Sequence, residues 1–167
     1  NSSRTIRAEL ASMIRQLRFW ALVVGAFVLG MARASERQQA SIATLRRTVS
    51  ALGQSWIEML PEIQKVIKGE SKLSKFSEVE LTDALNTGAN ATGDLRLALR
   101  ALPAAANLAS DSGMDLRSAM KLIADAMMGE RGAIKQLFDM QVAVDANMSP
   151  FQILTAIMRR FEGAATD

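Results

Sequence analysis

The sequence predicts an all-α protein in which a long, coiled-coil-like N-terminal helix leads into a small bundle of short helices. Two observations carry that expectation. The chain is rich in Ala, Leu, Met, Arg and Gln, all good helix formers, while Tyr is absent and aromatic residues make up only 5%. Apolar residues recur at helical spacing through the first half, and the second half is divided by Ser, Asp, Gly and Pro at positions suited to helix ends.

In the first segment, residues 1–68, Ile6, Leu10, Met13, Leu17, Trp20, Val24, Phe27 and Met31 alternate between four-residue and three-residue steps. This is a period of about 3.5 residues, the repeat that keeps one apolar stripe facing a partner when helices supercoil. After the polar patch from Glu36 to Ser41 the spacing resumes at Ile42, Leu45, Val49, Leu52, Trp56, Met59, Ile63 and Val66. Together these positions form a candidate seam for self-association. Pro61 interrupts it, lacking an N–H and crowding the turn before it, so a kink or a new helix start is expected there. Glu62 suits a first turn and Gly69 a stop, giving a short helix over 61–68. The polar stretch 69–76, "GESKLSKF", reads as a hinge.

The strongest apolar run, residues 19–32, lies on the same stripe between Arg18 and Arg33. Fourteen apolar or Gly residues make a helix about 21 Å long, short of a hydrocarbon core of about 30 Å. A signal peptide fits locally, with Arg4, Arg7, Arg15 and Arg18 upstream and Ala32-Arg33-Ala34 as an A-x-A site, but the basic region is long and already patterned. An interhelical seam is the favoured reading. Membrane contact through Phe19, Trp20, Leu22, Val23, Val24, Phe27, Val28 and Leu29 is the second.

From residue 77 to 167 the expected helices are short and punctuated. Ser77 and Glu80 form a capping box for a helix running to about Thr87, with Gly88 after it. Asp94 caps the next, Pro103 marks a kink or restart, and Gly113 closes it. Asp115 opens a helix with Leu116, Ala119, Met120, Ile123, Ala126 and Met127 on one face and Gly129 as its stop. A short helix follows over 132–140. Ser149 and Pro150 then cap and start a last helix bearing Ile153, Leu154, Ile157, Met158 and Phe161, closed by Gly163. Short connections imply antiparallel packing.

Composition narrows the chemistry. The chain has no Cys and no His, which excludes disulfides, cysteine nucleophiles and thiolate metal sites and removes the commonest general base and metal ligand. The carboxylate pairs Glu58/Glu62, Glu78/Glu80 and Asp111/Asp115 are explained by helix ends, where negative charge is favourable. Gly88, Gly93, Gly129 and Gly132 follow no strand and read as stops and turns rather than a phosphate loop. Met120, Met127, Met128, Met140, Met148 and Met158 read as core fillers. No catalytic residue, cofactor site or metal site is assigned, and no enzyme is expected. Residues 1–76 carry 12 basic against 5 acidic residues, net +7, and residues 77–167 carry 8 against 12, net −4. The basic half favours anionic partners, yet it lacks the interleaved aromatics of a base-stacking surface. A first residue other than Met points to a processed chain or a piece of a longer one.

The stretches 93–137 and 148–167, with turns at Thr92-Gly93-Asp94, Gly113-Met114-Asp115 and Gly163-Ala164-Ala165, carry a resemblance that covers about residues 77–167: this half resembles a segment of bacteriophage tail tape measure proteins. In that family a "TGD" turn precedes an Ala-rich helix, a "TGMDL" type start follows, a "GN" or "GE" end leads to a "GALKRL"-like turn, and an "F-x-G-A-A" motif closes. Thr92-Gly93-Asp94, Ser112-Gly113-Met114-Asp115-Leu116, Gly129-Glu130, Gly132-Ala133-Ile134-Lys135 and Phe161-Glu162-Gly163-Ala164-Ala165 occupy those places here. Pro103 departs from the family's uninterrupted helix, and the first half is similar only in character. The resemblance implies a structural protein lying in several copies along the tail tube lumen, setting tail length and assisting assembly and genome delivery. Its expected partners are further copies of itself, as a trimer rather than a hexamer, and the tail tube and tail tip proteins. Nucleic acid is not expected as a specific ligand. The alternative is a membrane-active helical protein that helps make a passage through the host envelope. The expected location is the virion, with the host membrane as a later station.

Overall fold

The structure, a computed structural model, describes residues 5–15, 35–162 and 164–166, and all regular structure among them is helical. The chain divides into two compact units, Asn1–Gln39 and Ala40–Asp167. In the first unit residues 5–15 form helix α1. The seam positions Leu17, Trp20, Val24, Phe27 and Met31, and all eight candidate membrane contacts from Phe19 to Leu29, lie outside the described residues.

The remaining helices are α2 (Glu36–Ala51), α3 (Trp56–Leu73), α4 (Glu78–Thr92), α5 (Leu95–Ser112), α6 (Leu116–Met127), α7 (Arg131–Asp139) and α8 (Pro150–Phe161). The second unit is organised around α5. Its residues Ala98, Leu99, Ala101, Leu102, Ala104, Ala105, Ala106, Leu108 and Ala109 are buried, as befits a helix apolar on nearly every side. The small Ala side chains let neighbouring helices come close, and α4, α6 and α8 pack against it. Helix α4 also packs on α3 and α6, and α7 lies on α6. The expected face of α6 is buried throughout, as are Ile153, Leu154, Ile157 and Phe161 of α8, with Met158 half-buried.

Helix ends follow the expected punctuation in most places. Ser77 and Glu80 form a reciprocal capping box, and Ser149 forms another with Gln152 ahead of Pro150. Asp94 accepts from the Arg96 N–H and Asp115 from that of Ser118. Gly93, Gly113 and Gly129 take left-handed conformations with φ of +71°, +75° and +82°, which glycine adopts without the Cβ clash that penalises other residues.

Four expectations are corrected. Helix α3 starts not at Pro61 but behind the cap of Ser55, and it runs through Pro61. The proline sits in the second turn, where the bond to the Ile57 carbonyl is lost. Gly69 does not stop this helix; of the hinge expected over 69–76, residues 69–73 are its last turn, closed by the Ser74 N–H and hydroxyl donating to the Glu70 carbonyl. Gly88 is interior to α4, which ends instead at Gly93. A Cβ at Gly88 would lie 2.8 Å from Met120 Sδ and 3.1 Å from the Ala98 Cβ, so the glycine marks a close approach between α4 and its neighbours α5 and α6. Of the kink or restart expected at Pro103, the restart does not occur: α5 runs through the proline from Leu95 to Ser112.

The second half of the expected seam is also corrected. Leu45, Val49, Met59 and Ile63 are 0 to 4% exposed within the core of the second unit, with Leu52, Trp56 and Val66 packed against it and Ile42 half-buried. Residues 40–68 thus fold with the short helices. A heptad repeat drifts from the straight-helix period by only about 20° per seven residues. Over helices as short as α2 and α3 that drift stays inside the roughly 100° stripe of any amphipathic helix, so the spacing serves an intramolecular core equally well.

Candidate interaction surfaces

Helix α1 carries Ile6, Leu10, Met13 and Ile14 at 55%, 51%, 59% and 49% exposure. The first three are the opening positions of the expected seam. Their spacing puts them on one face of the helix.

Several carboxylates are engaged at helix ends. Glu80 is occupied by the capping box and Asp115 by its cap, where hydrogen bonds from the Ser118 N–H and hydroxyl hold the carboxyl below the ordinary aspartate range. Glu58 lies in the first turn of α3, whereas Glu62, expected in a first turn after Pro61, is interior to that helix. Burial raises the Glu70 carboxyl on the same helix. Among the described residues no group of three or more acidic side chains is placed to hold a metal ion. No helix there is long and apolar enough to cross a membrane.

A concavity borders α8 and the connector from α7. It is an open groove of about 690 Å³ with apolar lining from Ala143, Met148, Phe151 and Ala156 and polar lining from Gln141, Gln152, Thr155, Arg159 and Arg160. A smaller groove, about 370 Å³, shares Phe151, Thr155 and Arg159 and adds Leu154, Met158 and Glu162. The three shared residues are four apart, so they form one ridge of α8 with a groove on each side. Phe151 is 50% exposed although the Arg100 guanidinium of α5 lies 4.8 Å from its ring centroid. Gln141 adopts φ +68°, unusual for a residue with a Cβ.

Several of these features escaped the sequence. Phe151 lies off the buried face of α8 and the partner of Arg100 is on another helix, so the sequence pattern marks neither. Of the methionines read as core fillers, Met120 and Met127 are buried, Met140, Met148 and Met158 pack on the core, and Met128 is 46% exposed. Asn107 is a buried amide in α5 whose Oδ1 accepts the Ala165 N–H at 3.0 Å, holding the residues after α8 onto the central helix. A polar residue inside the Ala-rich run from Ala101 to Ala109 is the signal for it in the sequence. No family model, curated protein or solved structure matches the chain.

Proposed function

We propose that the chain is a structural segment of a phage tail tape measure protein, which lies in the tail tube, sets tail length and assists tail assembly and genome delivery. One observation supports this reading above others: the motif residues that carry the resemblance serve as helix punctuation. Gly93 and Asp94 end α4 and cap α5, Gly113 and Asp115 end α5 and cap α6, and Gly129 and Glu130 lie between α6 and α7, with Glu130 capping the latter. Residues spent on stopping and starting helices serve an architectural protein. In this reading the α1 stripe is where copies associate, as trimers, and tail tube and tail tip proteins surround the assembly.

The mechanism is geometric. An extended helix adds about 1.5 Å per residue, so the residues held extended in the lumen fix where tube growth stops. In-frame deletions from extended helical regions of the parent protein are expected to shorten tails in proportion, as measured by electron microscopy. Tails of unchanged length would overturn the proposal. Self-association is tested by sedimentation equilibrium of the full chain, where Leu10→Asp is expected to convert a small oligomer to monomer by placing a carboxylate in an apolar seam.

A second reading rests on the apolar run of residues 19–32 between Arg18 and Arg33. Arginines at both ends can snorkel while the bilayer thins around a short segment. Dye release from anionic vesicles by the full chain would favour this membrane-active role.

A further inference from the structure

The geometry points to the groove beside α8 as a docking site for an acidic, apolar peptide segment of a different protein. Charge decides the sign of the partner. The larger groove is lined by Arg159 and Arg160, the latter with its guanidinium 4.7 Å from the Phe161 ring centroid, and by no carboxylate, in a half of the chain that is net negative. Arginines at the C-terminal end of a helix complement its dipole, which explains their presence in the last turn of α8 but not an apolar trough beside them. Within the trough, Ala143 and Ala156 are small enough for a peptide backbone to approach, and Phe151 and Met148 supply apolar contact.

The same charges exclude other occupants. Two copies meeting through this face would set Arg159 and Arg160 against their own equivalents, a like-charge juxtaposition that opposes association. Helix α1 of a second copy is a poor guest, since residues 1–15 carry Arg4, Arg7 and Arg15 against the single acid Glu9. Single-stranded nucleic acid would want stacking platforms, whereas the groove has one aromatic ring, and Arg100 already lies against it. An acidic peptide satisfies both guanidinium groups by charge-assisted hydrogen bonds and covers the apolar lining. The inference stands independently of the tape measure reading.

The test is selection of a random-peptide library on the full chain, followed by calorimetric titration of the enriched peptides. Enriched sequences are expected to combine Asp or Glu with apolar residues. Their affinity is expected to fall by about tenfold or more in the exposed double variant Arg159→Glu/Arg160→Glu. The control variant Arg117→Glu/Arg131→Glu changes net charge equally away from the groove and is expected to leave affinity within about twofold, as is normal for charges outside an interface. Enrichment of neutral or basic peptides, equal losses in both variants, or no loss in the first would overturn the proposal. So would tighter binding of oligothymidylate than of any peptide, which would assign the groove to nucleic acid. Circular dichroism of each variant separates loss of binding from loss of fold.

Discussion

The side-chain carbonyl of Gln54 accepts the main-chain N–H of Leu95 at 3.1 Å, across 41 residues of sequence. Leu95 is the first residue of α5 and is fully buried, so its N–H is one of the donors that a helix start leaves without an intrahelical partner. Gln54, in the connector between α2 and α3, supplies the partner and ties that pair of helices to the central one. The hydroxyl of Thr48 in α2 does similar work by donating to Oδ1 of Asn86 in α4.

Gln54→Met keeps the side chain's length and removes the acceptor. It is expected to destabilise the fold by about 1 to 2 kcal/mol, because a buried donor is left unsatisfied. A urea midpoint equal to that of the parent would show that water replaces the amide.

Gly88 tests the close packing of α4. Alanine is the better helix former by about 1 kcal/mol, yet its Cβ would crowd the fully buried Met120 and Ala98. Overpacking of this kind costs about 1 to 3 kcal/mol, so Gly88→Ala is expected to destabilise on balance. In a Met120→Ala background the same change is expected to stabilise. A double-mutant cycle by thermal unfolding checks that reversal of sign.

Gln141 holds a left-handed backbone at φ +68°. Glycine there removes a steric cost of about 1 to 2 kcal/mol while adding some freedom to the unfolded chain, so Gln141→Gly is expected to gain about 0.5 to 1 kcal/mol. Gln141→Val is expected to lose stability, since a β-branched residue tolerates this conformation worst. Equal unfolding midpoints for both would refute the strain.

Asp115 gives a pH dependence of known sign. Its folded-state carboxyl titrates below the ordinary value of 3.8 because Ser118 donates to it twice. Between the two values the unfolded chain holds more of this proton than the folded one, so stability rises with pH there. The contribution is present above the unfolded value and is lost as pH falls through the folded one. Asp115→Asn keeps a good N-cap and is expected to flatten this part of the acid limb while leaving neutral stability nearly unchanged. Thermal melts across the acid range provide the comparison.

These relationships divide what the sequence carries from what it does not. The amino-acid order by itself determined the helical class and most helix ends. A capping residue such as Ser77, Asp94 or Asp115 bonds within three residues of itself, and a glycine such as Gly113 turns the chain by its own torsion angles. Such events are local and therefore written locally. The sequence also determined which face of α6 is apolar, because one helix suffices to define it.

Tertiary structure alone decided the partners. The spacing of Leu45, Val49, Met59 and Ile63 served an association between chains and a core within one chain equally well, and the other buried residues of the second unit chose the core. Gly88 and Gly93 are the same residue five positions apart, yet one admits a neighbouring helix and the other ends its own. Gly69, Pro61 and Pro103 were outweighed because burying the faces of α3 and α5 recovers more than one missing hydrogen bond or one flexible residue costs. The groove beside α8 joins residues from the α7–α8 connector and α8, and Arg100 of α5 meets Phe151 across the bundle. Local sequence fixes torsion angles and caps, but contacts between distant residues depend on how the helices dock, and docking is settled by all the buried surfaces at once.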